Sequence, residues 1–126
     1  MKKTIYLTAQ EVLEIHRPLI TNFGGQSGLR DRGLLESALF RPQTGYYDNL
    51  YTQAASLLQS LCHNHPFVDG NKRIAWTVTK TFLLVNGAHL TAKATEAESF
   101  LIEQIIKKKI ALEKIAAWLK KRCRST

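Results

Sequence analysis

His65-Pro66-Phe67-Val68-Asp69-Gly70-Asn71-Lys72-Arg73 joins two apolar-periodic segments in the middle of the chain, and its reading decides the fold. Upstream, Leu50, Ala54, Leu57, Leu58 and Leu61 recur at helical spacing; downstream, Ile74, Val78, Phe82 and Val85 do the same. Pro66 disfavours helical geometry at the residue before it, so the first helix is expected to stop at His65. Gly70 and Asn71 suit a tight turn and a helix start, and Gly87 suits a left-handed stop. The second helix is therefore expected over about Asn71 to Asn86. A helix N-terminus presents backbone N–H groups and the positive end of the dipole, which together favour an anion such as phosphate. Around that point lie a histidine able to act as general base (His65), an oxygen ligand for a hard cation (Asp69) and two cations (Lys72, Arg73). These are the parts that hold a nucleoside triphosphate with magnesium and activate a hydroxyl.

Each of these residues also has a plainer use. Asp69 and Asn71 can both cap the following helix; capping occupies one carboxylate oxygen, so Asp69 can do so and still hold magnesium. Phe67 carries no chemistry and is expected to anchor the loop in the core. Lys72 and Arg73 can be solvated residues of a first helical turn, but two cations at a helix N-terminus oppose the dipole, which points to an anion between them. His63-Asn64-His65 spells the letters of the HNH nucleases, whose metal site spreads over two strands and a helix and is not met by three consecutive residues. His63, His65 and Asp69 are metal-ligating types. No further ligand cluster follows them, and Lys72 and Arg73 would repel the ion.

Composition sets the frame. At 126 residues, 44% hydrophobic and 22% charged, the chain reads as one globular domain, 1–126, with a single core. No apolar run approaches membrane-spanning length, and Thr4 to Leu7 is too short for a signal-peptide core. Cys62 and Cys123 form no C-x-x-C and read as reduced thiols of a cytoplasmic protein. The net charge is +8, and residues 107–126, with eight Lys/Arg against Glu113, supply +7 of it. That segment reads either as a solvated helix face with a frayed basic end, or as a contact surface for an acidic partner, protein or RNA.

Along the chain, Thr4 to Leu7 is a β-prone run suited to a short N-terminal edge strand. Thr8 and Glu11 form a capping box, so a helix starts at Ala9 and carries Val12, Ile15, Leu19 and Phe23 as its stripe, with a kink at Pro18. His16 beside that bend reads as surface or packing. Residues 23–30 (FGGQSGLR) hold three glycines and must form a loop with unusual backbone angles. Asp31 caps a short helix with Leu34, Leu35, Ala38 and Leu39 inward, ended by Pro42; Asp48 can cap the next helix. Thr95 and Glu98 match a second capping box, before a helix with Leu101, Ile105 and Ile106. A last helix is expected over about Ala111 to Arg122, with Leu112, Ile115 and Leu119 inward. The fold expected is all-α, about six helices built around two central ones.

The nine-residue stretch resembles the signature of the Fic/Doc family, H-x-F-x-[DE]-[GA]-N-[GK]-R, and matches every fixed position. Phe23-Gly24-Gly25, Gly28 and the run Asp31 to Pro42 (DRGLLESALFRP) also resemble the start of Doc-like toxins, and the resemblance covers residues 4 to about 90. It implies the Fic/Doc helical bundle, with residues 23–30 as the flap that places the target segment. Lys72 stands where the adenylyl-transferring Fic branch has glycine, and lysine there marks the Doc (death-on-curing) branch. The resemblance therefore implies the toxin of a toxin–antitoxin pair, a kinase that phosphorylates a threonine of elongation factor Tu and stops translation. On that reading His65 takes the proton of the incoming hydroxyl and Asp69 binds magnesium. Gly70 and Asn71 offer hydrogen bonds to ATP, and Lys72 and Arg73 neutralise phosphate charge. Gly70 departs from the founding Doc toxin, which has alanine; glycine is the Fic-like choice. No Glu is followed by Gly or Asn, so the inhibitory [ST]-x-x-x-E-[GN] pattern of many Fic proteins is absent. Restraint is expected from a separate antitoxin with a segment that folds on binding. Two alternatives stand beside this reading. One is a Fic-type adenylyltransferase; the other is a non-enzymatic basic helical module for RNA or an acidic protein. The second has no need of His65 and Asp69 together, so nucleic acid is not the expected partner, and neither is a membrane.

Overall fold

The helices on either side of the His65–Arg73 stretch form the centre of the molecule. A computed structural model describes residues 3–125; Met1, Lys2 and Thr126, the ends of the expected 1–126 domain, lie outside the described residues. Six α-helices follow in order: α1 (Ala9–Phe23), α2 (Arg32–Phe40), α3 (Leu50–Asn64), α4 (Asn71–Val85), α5 (Ala94–Ser99) and α6 (Leu112–Lys121). A 3-10 turn, Arg41–Gln43, follows α2, and α5 continues into a π-helical stretch, Phe100–Lys107. α3 buries Ala54, Ala55, Ser56, Leu57, Leu58, Leu61 and Cys62, most of its circumference. A helix apolar on so many sides belongs in the core, and α3 packs against α4, α6 and α2. Residues of every helix except the short α5 join one apolar cluster around it.

Local signals place most ends. Thr8 and Glu11 form the expected reciprocal capping box of α1, and the Asp31 carboxylate accepts from the Leu34 amide at the start of α2. α3 is capped by Asn49 rather than Asp48: its side chain accepts from the Thr52 amide, leaving Asp48 one position too early. Among the described residues no side chain caps α5, which begins at Ala94, so Thr95 and Glu98 fall inside the helix and the second capping box is not formed.

Tertiary packing moved other features. Residues 4–7 form no strand. Leu7 is drawn into the core, and the amide and carbonyl of Ile5 are taken by the side chain of Asn86, at 2.8 Å each. A two-stranded antiparallel sheet forms instead from β1 (Ala88–Leu90) and β2 (Cys123–Ser125), pairing His89 with Arg124. The basic C-terminal segment is thus tied down as far as Ser125 rather than frayed. Arg122 reinforces it, lying 4.1 Å over the Trp118 ring and pairing with Glu96 at 3.1 Å. The buried stripe of α1 is Val12, His16 and Ile20, with Phe23 65% exposed, and on α4 Leu83 is buried while Val85 is exposed. Both shifts rotate the inward face by about one residue, an amount that periodicity alone does not resolve.

Candidate active site

The loop between α3 and α4 begins with a backbone reversal. His65 leaves the helix in the left-handed region, φ 49 and ψ 57, as Pro66 bars it from continuing. Of the described non-glycine residues, only His65 and Lys109 have positive φ. Arg30 crosses from the end of the flap and donates from Nε to the His65 carbonyl (2.8 Å) and from its Nη2 to the Asn64 carbonyl (2.9 Å). Pro66 and Phe67 turn inward, and Phe67 is 1% exposed. Its ring stacks on the buried His16 ring at 3.8 Å. The chain then passes outward through Val68 and Asp69 and turns at Gly70, φ 74, into α4.

Three side chains hold this path. The Asn71 amide closes a ring on Phe67, accepting from its N–H (3.0 Å) and donating to its carbonyl (2.9 Å). His16 Nε2 donates to the Asp69 carbonyl at 2.9 Å, which fixes the proton on that nitrogen because a carbonyl only accepts. Arg30 closes the third point. Asn71 therefore neither caps α4 nor turns its amide to the outside, and among the described residues no side chain caps α4. The first turn of α4 offers its dipole and N–H groups next to the exposed side chains of Lys72 and Arg73. The Arg73 guanidinium lies 4.9 Å over the exposed Phe23 ring, which explains where that aromatic goes instead of the core.

Asp69 faces outward, and each of its carboxylate oxygens accepts one backbone N–H, Gly70 at 2.9 Å and Gln26 at 3.2 Å. These two bonds, with smaller help from the charge of Arg73 and from His16, hold its carboxyl below the ordinary aspartate value. It is ionised at neutral pH, and each oxygen keeps a lone pair for a cation. Cys62, one turn before the loop, is pushed up to about 12 by burial, so the thiol stays protonated beside the nearby Lys72 charge. His63 is lowered by burial and by the charges of Lys109 and His65. Among the described residues no three metal-ligating side chains converge, and no helix is long and apolar enough to cross a membrane.

The flap, residues 24–30, runs antiparallel to the loop. Leu29 bridges Phe67, the Val68 amide donates to the Gly28 carbonyl (3.0 Å), and the Arg30 and Asp31 amides both donate to the Pro66 carbonyl (2.7 and 3.0 Å). Gly24, Gly25 and Gly28 have φ of 88, 109 and 120, which L-residues rarely adopt. At Gly25 a Cβ would stand 2.9 Å from Asp69 Oδ2, so only glycine lets the flap close on that carboxylate.

The fold thus collects His65, Asp69, Gly70, Asn71, Lys72 and Arg73 on one loop and one helical turn. A match to the model of the "Fic/DOC family" spans residues 6–83, which includes the flap, the loop, α3 and all but the last two residues of α4. The chain belongs to the Fic/Doc family. A Fic/Doc relative from Mycolicibacterium smegmatis, "Toxin Doc", is 43% identical over 123 residues, covering 92% of each chain. "Protein kinase doc" of Escherichia phage P1 is 29% identical over 89 residues, covering 68% of this chain and 71% of its own. Three residues that hold this candidate site were not legible as such in the sequence: His16, Gln26 and Arg30. His16 had a signal, since it lies four residues from both Val12 and Ile20 on the buried face. Arg30 and the Gln26 amide had none, because their partners are 35 and 43 residues away.

Proposed function

We propose that this chain is the toxin of a type II toxin–antitoxin system, a Doc-like kinase. It transfers the γ-phosphate of ATP to a threonine hydroxyl of a translation factor, elongation factor Tu by family resemblance, in the cytoplasm. One observation carries the reading: the uncapped start of α4, flanked by Lys72 and Arg73, lies on the same short loop as exposed His65 and ionised, outward-facing Asp69. The name "Toxin Doc" of the relative aligned along 92% of the chain supports the toxin assignment, and "Protein kinase doc" supports the kinase.

The residues divide the work by position. His65, held at the end of α3, accepts the proton of the threonine hydroxyl as it attacks. Help of this kind is worth on the order of a hundred- to ten-thousandfold in rate. The N–H groups at the start of α4 and the side chains of Lys72 and Arg73 offset the charge that spreads over the transferred phosphoryl oxygens. Asp69 is the residue that would hold magnesium, whose chemistry when bound is to neutralise phosphate charge. Its exposed, ionised carboxylate with free lone pairs fits a hard cation. Gly70 allows the chain to turn within reach of a phosphate, and Asn71 serves by holding Phe67 rather than by touching ATP. Lys72, where glycine would let the backbone close round the phosphates, sets a charged side chain beside the pocket and so favours presentation of the γ-phosphate over the α-phosphate.

The test is incubation with ATP labelled at either the α or the γ position and a lysate, followed by identification of the labelled protein. Transfer of the γ label to elongation factor Tu is the expected result. Transfer of the α label replaces this reading with adenylyl transfer. Growth arrest on expression of the chain alone, relieved by co-expression of a neighbouring small gene, tests the toxin–antitoxin half.

A further inference from the structure

We propose that Arg30 is a positioning residue of the site, acting by holding His65 in its left-handed conformation; the proposal rests on the phosphoryl-transfer reading above. The last carbonyls of α3 have no intrahelical partners, and a cation is favoured at that end of a helix. Arg30 takes three successive carbonyls. Nη2 donates to Asn64, Nε to His65 and its backbone amide to Pro66, at 2.9, 2.8 and 2.7 Å. A β-carbon makes φ 49 unfavourable, and a following proline biases His65 toward extended backbone. The observed angles persist only where the surroundings over-determine them. The planar fork of the guanidinium meets these two adjacent carbonyls with the backbone between them reversed, so the bonds favour the conformation that sets the direction of the His65 ring. A lysine ammonium lacks that fork. The Arg30 residue is exposed, and the backbone bonds of Arg30 and Asp31 to the Pro66 carbonyl do not depend on its side chain. Its removal therefore leaves the core intact.

Arg30→Ala and Arg30→Lys are compared with the unmodified chain; the lysine variant keeps charge and bulk and guards against a folding artefact. With γ-labelled ATP and the lysate, the maximal rate of labelling is expected to fall roughly ten- to hundredfold in both, the scale on which small misplacements of reacting groups act. The KM for ATP stays unchanged, and millimolar guanidinium ion restores part of the rate of Arg30→Ala. In the protein alone, hydrogen exchange at the amides of His65 and Phe67 accelerates while Leu57 and Val78 stay protected. Unchanged exchange at the loop overturns the proposal. So does a loss that falls on KM for ATP with the maximal rate intact, since Arg30 would then act on the nucleotide. If the unmodified chain transfers no label, the phosphoryl-transfer reading fails, and the exchange experiment still decides whether Arg30 holds the loop.

Discussion

The loop 65–70 and the flap 24–30 lie edge to edge, joined through Leu29 and Phe67, yet they are held by different means. The loop sends Pro66 and Phe67 into the core, and side chains of α1, α4 and the flap bond its carbonyls at His65, Phe67 and Asp69 and that of Asn64 just before it. The flap sends only the half-buried Leu29 against the core: its other residues are exposed, and backbone bonds hold it, with the Arg30 side chain at one end and Asp69 accepting the Gln26 amide. Preorganisation belongs where a proton and a phosphoryl group must meet within tenths of an ångström. On the proposed reading the flap receives an extended segment of the target, and compliance suits that role, since backbone bonds accept any sequence. The flap's glycines give it that freedom, and the clash a Cβ would cause at Gly25 marks how closely it rests on the loop.

Substitutions test how far that contrast holds. The largest effect belongs to His65→Ala, which should lower phosphoryl transfer by about a hundred- to ten-thousandfold and end growth inhibition without lowering the melting temperature. A variant as toxic as the parent at equal expression removes His65 from the mechanism. Next, Asn71→Ala deprives both the N–H and the carbonyl of Phe67 of their partner. A loss of about 1–3 kcal/mol in urea unfolding is expected, the cost of stranding partly buried polar groups. Transfer should fall with it, because the loop loses a fixed point. Stability unchanged within error would mean that the loop is held by Phe67 burial alone.

Gly25→Ala probes the other partner. The new Cβ meets Asp69 Oδ2 and a φ of 109 that alanine resists. The expected cost is about 1 kcal/mol, or roughly 3–6 °C in melting temperature, with exchange at His65 and Phe67 unaltered. Accelerated exchange there would show that flap and loop form one rigid unit. The smallest effect is acidification. The Gly70 and Gln26 amides lower the Asp69 pKa, so the carboxylate's contribution is fully present above the ordinary aspartate value and is lost as pH falls through the depressed one. The Gln26 amide shift, followed by NMR, should therefore stay constant from neutral pH down to about 4 and move only below it. Movement near pH 6 would implicate a histidine instead of Asp69.

What neighbours in sequence dictate was legible from the sequence alone. The apolar period of α3 and α4, the stop enforced by Pro66, the turn at Gly70, and the caps at Thr8 and Asp31 are all settled within one or two helical turns. The candidate site was legible for the same reason, since His65, Asp69, Lys72 and Arg73 are nearly consecutive and need no fold to bring them together. Tertiary structure alone decided what stands around them. His16 reaches Asp69 across 53 residues, Arg30 reaches His65 across 35, and β1 pairs with β2 while Asn86 takes the amide and carbonyl of Ile5. Such pairings arise only when the core closes and leaves particular carbonyls, amides and ring faces within reach of one another. A carbonyl at the end of α3 carries no mark in the sequence of the distant cation that will take it.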